Sequence, residues 1–244
     1  MKQNIYDNAE FFQQYESIRE REYNYNNLLE QPNFLTLVPD LKEKIVLDIG
    51  CGMGDFAASC IKQGAKKVTG IDISSNMIMS ANRRYKEVNL DFQNKDIEDF
   101  TTDEGSIDFI SSSLAFHYIE RFDELIQKIS KTLKEDGILL FSIEHPFVTA
   151  NKGFKDRVVD SEGKIQHFVL DHYHNEGLRS QNWLVENVIT YHRTFSTIIN
   201  TLTDHDLIVQ RIIEPLPTAE AMRKLPGLKK ETRRPPFLIV RAKK

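Results

Sequence analysis

A chain of 244 residues with 40% hydrophobic and 28% charged side chains sustains one core, or one core with an insertion; no apolar run approaches the roughly 20 residues that cross a bilayer. With a net charge of −4, nothing global argues for nucleic acid. Two cysteines, Cys51 and Cys60, are too few for a disulfide framework or a zinc site, and "MKQNIYDNAEFFQQY" has no apolar signal core, so the expected address is the reducing cytoplasm.

The chain opens with a helix: Asp7 and Glu10 have capping-box spacing, and Phe11, Tyr15 and Ile18 follow at helical intervals. A second short helix is expected over 28–37, interrupted at Pro32. From Ile45 strands and helices alternate. "IVLDI" (45–49), "KVTGID" (67–72), "LDFQNKD" (90–96), "IDFISSS" (107–113) and "GILLFSIEH" (137–145) read as strands. The helices between them bury Phe56, Ala57, Cys60 and Ile61; Met77, Ile78, Ala81 and Tyr85, after a Ser74 or Ser75 cap; and Phe122, Leu125, Ile126, Ile129 and Leu133. Such alternation predicts an α/β, doubly wound, mostly parallel sheet with helices on both faces. The rhythm breaks over 146–193, where "KIQHFVLDHYH" (164–174) and "WLVENVITYHR" (183–193) read as antiparallel strands added to the core, a hairpin lid after the fifth strand. A helix at 194–205 and strands at 207–213 and 236–242 complete a single domain over 1–244, with a helical cap at 1–44 and the insertion at 146–193.

"VLDIGCGMGDF" places Gly50, Gly52 and Gly54 in the turn after the first strand, where backbone N–H groups meet a ligand at a helix N-terminus. The spacing is G-x-G-x-G, not the G-x-G-x-x-G of dinucleotide sites. A carboxylate at Asp48 is unfavourable beside a pyrophosphate and favourable beside an ammonium and a sulfonium. Asp72, 22 residues after Gly50, stands where an acid accepts from both ribose hydroxyls, a device that NAD sites share. Asp96 and the following Ile97 are placed to read an adenine edge.

In order and spacing, "VLDIGCGMG", "GIDIS", "NKDIEDF", "IDFISSSLAFHYI" and "LKEDGILLFSIEHP" resemble the successive motifs of class I S-adenosylmethionine-dependent methyltransferases, of the small-molecule kind similar to those of ubiquinone and biotin synthesis. The resemblance covers residues 45–145 and extends to a seven-strand layout whose last strand runs antiparallel. It implies that Gly50, Gly52, Gly54 and Asp48 hold the methionine part of the cofactor, and that Asp72 holds the ribose. It further implies that Ile73, Asp96 and Ile97 surround the adenine, that Ser113 offers its backbone near the amino-acid end, and that Tyr15 and Arg19 close over the cofactor, Arg19 on its carboxylate.

For the acceptor, His117 and His145 are the candidate bases, Glu144 reads as structural, and Tyr118, Tyr191, His192 and Arg193 are expected to line the pocket. Trp183 reads equally as a stacking surface or as hairpin packing. His172 and His174 in "DHYH" would share a strand face at a metal-compatible spacing, but no third ligand is evident, so no metal is expected. The basic run 223–236 reads as a solvated loop, with recognition of a carboxylate, a phosphate or RNA as the alternatives. "SSSLAF" replaces the Asn/Asp-Pro-Pro-aromatic motif of nucleic-acid amino-methylating enzymes, and no glutamate-rich loop of the protein-arginine type occurs. A small-molecule acceptor, without nucleic acid or membrane, is the expectation; a NAD-type oxidoreductase and a non-catalytic cofactor-binding protein are the alternatives.

Overall fold

A computed structural model describes residues 3–153 and 156–244; residues 1–2 of the expected cap and 154–155 of the expected insertion lie outside the described residues. After a 3-10 turn at Ile5–Asp7, α1 spans Ala9–Glu20, and a π-turn at Asn26–Glu30 leads into α2 (Gln31–Leu35). The core then follows as β1 (Ile45–Ile49), α3 (Asp55–Lys62), β2 (Lys67–Asp72), α4 (Ser75–Arg84), β3 (Leu90–Asn94), β4 (Ile107–Ser113), α5 (Phe122–Thr132) and β5 (Leu133–Glu144). The insertion holds α6 (Pro146–Thr149), β6 (Arg157–Val159), β7 (Ile165–Phe168), β8 (Gly177–Trp183) and β9 (Val185–His192); α7 (Phe195–Asp204), β10 (Ile208–Ile213), α8 (Ala219–Lys224) and β11 (Phe237–Lys243) complete the chain.

The sheet order is β10-β11-β5-β4-β1-β2-β3. β1 pairs in parallel with both β2 and β4, whereas β11 runs antiparallel to β5 and β10. Strand alternation divides the core between the two faces. Leu47, Ile49 and Phe141 join the cluster that holds Ile126 and Leu202 of α5 and α7, while Val46 and Leu140 join Ala57 and Ile78 of α3 and α4. The order reverses between β1 and β4, which opens a crevice at the carboxyl ends of the strands.

Four local expectations need correction. The cap of α1 is Asn8, whose Oδ1 accepts from Phe11 N–H at 3.0 Å; Asp7 instead reaches across to α4, accepting from Ser74 Oγ–H at 2.6 Å and from Asn76 N–H at 3.1 Å. β5 starts at Leu133 rather than 137, with its register against β4 broken between Ile107 and Phe109. The insertion adds nothing to the core sheet: it folds as two separate antiparallel pairs, β6–β7 and β8–β9. Period-2 alternation marks a two-faced strand but does not name its partner. Asp171–His174 is not a strand, and His172 adopts φ +58, so His172 and His174 share no strand face.

α1 and the β8–β9 pair form one roof. Trp183 meets Phe11 edge-on at 5.3 Å, and Tyr6 packs edge-on against Tyr15 at 5.1 Å. Gln3 fastens the two parts together: its Nε2–H donates to Asn187 O at 2.7 Å and its Oε1 accepts from Ile189 N–H at 2.8 Å.

Candidate functional site

Beneath this roof lies a cavity of about 850 Å³, bordered by the segments that follow β1, β2, β3, β4 and β5, by α1, and by residues 225–237. Ligand clefts span about 300–1,000 Å³, and this one stands in the upper part of that range.

The three glycines have different tasks. At Gly50 (φ +69) an added Cβ would stand 2.5 Å from Ala115 Cβ; at Gly54 (φ +84) it would stand 2.4 Å from Phe92 Cζ. Gly54 therefore serves helix–strand packing, and it does not border the cavity. At Gly52 (φ +54) nothing lies within 4 Å, so bare backbone faces open space. The Gly52 N–H donates to Asp72 Oδ2 at 2.9 Å, and Asp72 Oδ1 accepts from Ser74 N–H at 2.8 Å. Burial raises Asp72 to about 6 despite these two bonds.

Asp48 is 3% exposed. Its Oδ1 accepts from Ser111 Oγ–H at 2.8 Å, while its Oδ2 is buried without a hydrogen-bond partner among the described residues. Burial pushes its pKa up to about 7. A buried carboxylate oxygen with no donor is costly and fits a cationic ligand at the cavity wall. Ile73, Asp96, Ile97 and Ser113 border the same end; Asp96 Oδ1 accepts from Glu98 N–H at 2.9 Å. Tyr15 and Arg19 line the cavity from α1, and Arg19 Nη2 stands 3.8 Å from Asp55 Oδ2.

At the other end Tyr118, Tyr191, Trp183, His117 and Glu144 line the wall. Tyr118 Oη lies 3.3 Å from Tyr6 Oη. His117 is buried, its Nδ1 accepts from Glu144 N–H at 3.4 Å, and desolvation, aided by the Arg193 charge, lowers its pKa to about 3. It is a neutral imidazole with little affinity for a proton. Burial moves Glu144 the opposite way, above the usual carboxylate range, and its nearest donor is Gln181 Nε2 at 3.5 Å. Glu144, read from the sequence as structural, is thus the cavity-lining group better suited to accept a proton.

Besides Gly54, three residues expected on the acceptor side stand outside the cavity. His145, 2% exposed, caps α6: its Nδ1 accepts from Phe147 N–H at 3.1 Å and its Nε2 bonds Glu214 Oε1 at 2.9 Å. His192 is held at both nitrogens, Nδ1 by Thr149 Oγ1 at 2.7 Å and Nε2 by Tyr173 O at 2.8 Å. Arg193 bonds the carbonyls of Ile119 and Glu120 and lies over the Phe122 ring. A His-Pro step and an alternating strand look alike whether they serve a pocket or a fold, so composition does not separate the two. Cys51 is buried and its thiol is pushed well above its usual range by desolvation, which suits packing.

Reading along the chain missed Glu30. It is buried in the π-turn, its Oε1 accepts from Ser113 Oγ–H at 3.0 Å and from Ser142 Oγ–H at 2.6 Å, and burial raises its pKa. Its partners stand 83 and 112 positions away, so no local pattern announces it. Among the described residues no group of three His, Cys, Asp or Glu is placed to hold a metal ion.

Comparison with known proteins gives the architecture a class. The methyltransferase-domain family matches residues 46–137. A solved Listeria monocytogenes protein, assigned as an S-adenosylmethionine dependent methyltransferase, superposes with a TM-score of 0.83 at 38% identity, covering 88% of this chain and 96% of that one. An S-adenosylmethionine dependent methyltransferase from Mesorhizobium loti superposes with a TM-score of 0.81 at 30% identity, covering 88% and 97%. An uncharacterized protein of Haemophilus influenzae is 35% identical over 250 residues, 100% of this chain and 98% of that one. A ubiquinone biosynthesis O-methyltransferase of Coxiella burnetii is 33% identical over 117 residues, so this chain spans about half of it, 47%. This chain belongs to the class I S-adenosylmethionine-dependent methyltransferases, and S-adenosylmethionine is its cofactor. No helix among the described residues is long and apolar enough to cross a membrane.

Proposed function

We propose that this methyltransferase acts in the cytoplasm on a small-molecule acceptor that presents an oxygen, nitrogen or carbon nucleophile, and not on nucleic acid. The observation that carries the reading is one continuous cavity, with the unpartnered Asp48 Oδ2 and the bare Gly52 backbone at one end and an aromatic wall with Glu144 at the other. The cofactor supplies a methyl group already activated on a sulfonium, so the protein's work is alignment, exclusion of water and acceptance of a proton.

In this reading Gly50, Gly52 and Asp48 hold the methionine part, with the ammonium completing Asp48. Asp72 keeps the ribose, Ile73, Asp96 and Ile97 enclose the adenine, and Ser113 borders the amino-acid end. Arg19 meets the carboxylate and Tyr15 covers it. Glu144 receives the acceptor's proton, while the neutral His117 ring and Tyr118 shape the wall beside it. Calorimetric titration with S-adenosylmethionine and S-adenosylhomocysteine tests the first half: binding of both, weakened to a similar degree by Asp48→Asn because both carry the ammonium, is expected, and absence of binding for both ends the reading. Labelled methyl transfer into the small-metabolite fraction of a cell extract, with none into its protein or nucleic acid, is the expected second result. Label in the macromolecular fraction alone would overturn the acceptor class.

A further inference from the structure

One wall of the cavity carries a charge that the roles above leave unused. Arg234 comes from the basic run read in the sequence as a solvated loop, yet its side chain is only 12% exposed. Its Nη2–H donates to Asp156 Oδ2 at 2.6 Å, and its Cζ lies 4.3 Å from the centroid of the Phe168 ring. Nε and Nη1 are buried and have no hydrogen-bond partner among the described residues. A guanidinium stays charged at any physiological pH, so two buried, unfilled donors cannot be relieved by loss of a proton. An acceptor atom is wanted there.

The neighbours narrow what that atom belongs to. Arg234 borders the cavity, as does Lys230, whereas Asp156 does not. The hairpin already has its own anchor: Arg233 donates from Nη1 to Ile165 O at 2.8 Å and from Nη2 to Gln166 O at 2.6 Å. Two carboxylates share this wall without bonding those donors, although Glu231 Oε2 is itself buried without a hydrogen-bond partner among the described residues and Glu144 feels the Arg234 charge. Glu231 accepts from Tyr25 Oη–H at 3.1 Å and lies 3.6 Å from Lys230 Nζ, and Glu144 faces Gln181 at 3.5 Å. Among the described residues no group fills Nε or Nη1.

We propose that Arg234, supported by Lys230, binds an anionic group, carboxylate or phosphate, on the methyl acceptor, and thereby selects acidic small molecules as substrates. This rests on the methyl-transfer reading and deepens it: the anion is held at the 225–237 wall while the nucleophile is presented toward the cofactor end. Charge-assisted hydrogen bonds suit such an anchor, and truncating one partner of a buried pair is strongly felt.

The test uses 15N-labelled full-length protein saturated with S-adenosylhomocysteine, titrated at constant ionic strength with inorganic phosphate and, separately, with benzoate. Arginine Nε–H signals are followed by NMR, and Arg234→Gln assigns the reporter. A saturable millimolar shift of that signal with phosphate marks a phosphorylated acceptor, and with benzoate a carboxylic one. Read from the backbone amide signals of residues 225–237, Arg234→Lys, which keeps the charge, is expected to weaken the effective anion about tenfold, and Lys230→Gln about threefold. No saturable shift with either anion, or equal affinity in Arg234→Lys, overturns the proposal. Should S-adenosylhomocysteine itself fail to bind, the methyl-transfer reading falls, and the same anion titration on the free protein still decides the role of Arg234.

Discussion

The two ends of the cavity are built by different means. At the proposed cofactor end Asp48, Gly52, Asp72 and Ile97 stand at strand ends or in the segments after them, so a single sheet sets their positions together, and only Tyr15 and Arg19 come from α1. The proposed acceptor end is assembled from α1, the end of β5, the β8–β9 pair and residues 225–237, parts far apart in the chain. Chemistry shared across a family can reside in the backbone of a rigid sheet; discrimination between acceptors can be retuned on loops without disturbing it.

The sharpest way to break the first end is Gly54→Val. The new side chain meets Phe92 and Ala81 at a left-handed φ, and the loss of stability is expected at about 3–5 kcal/mol, seen in chemical denaturation. Gly52→Ala sharpens the contrast: with open space around it, the cost is about 1–2 kcal/mol of backbone strain, and the protein folds but binds S-adenosylhomocysteine poorly.

Next comes the pH response of Asp48. Unfolded, this aspartate gives up its proton near pH 4; folded and ligand-free, it does so near 7. Between those values the native state holds the extra proton, so stability falls as pH rises, by at most about 4 kcal/mol. Asp48→Asn should reduce that slope in thermal melts at pH 5 and pH 8, leaving the part owed to Asp72, Glu30 and Glu144, which burial also raises, and saturating S-adenosylmethionine should reduce it in the unaltered protein. A slope that Asp48→Asn leaves unchanged would assign the effect elsewhere.

At the acceptor end, Glu144→Gln is expected to lower kcat about hundredfold, about 2.7 kcal/mol, with cofactor affinity unchanged and the acidic limb of the pH–rate profile lost. His117→Asn should leave that limb in place, because its ring is already neutral across the range. The smallest effect is at the roof. Asp7→Ala removes the bonds to Ser74 and Asn76 at the start of α4, costing about 1 kcal/mol and speeding amide exchange in residues 75–77.

The same division decided what could be read along the chain. Buried parallel strands are short apolar runs bounded by turns, so β1 to β4 stand out in "VLDIG", "GID", "LDF" and "IDFIS", and the acids at their ends follow by position. Nothing comparable marks the insertion. The stretch 183–193 alternates as an exposed strand must, but its partner is β8, not the core, and His192 faces inward to Thr149 rather than toward a substrate. Arg234 and Arg233 are adjacent identical letters with opposite tasks, one holding the hairpin's carbonyls and the other bordering the cavity. Glu30 depends on serines contributed by β4 and β5, a meeting that only the folded chain creates.

Residues 3–7 fasten at Gln3 to the strand after Trp183 and at Asp7 to the first turn of α4. One five-residue strap therefore spans both halves of the reaction chamber. Because Gln3, Ile5 and Tyr6 also border the cavity, this single segment ties the insertion to the first turn of α4 beside the chamber.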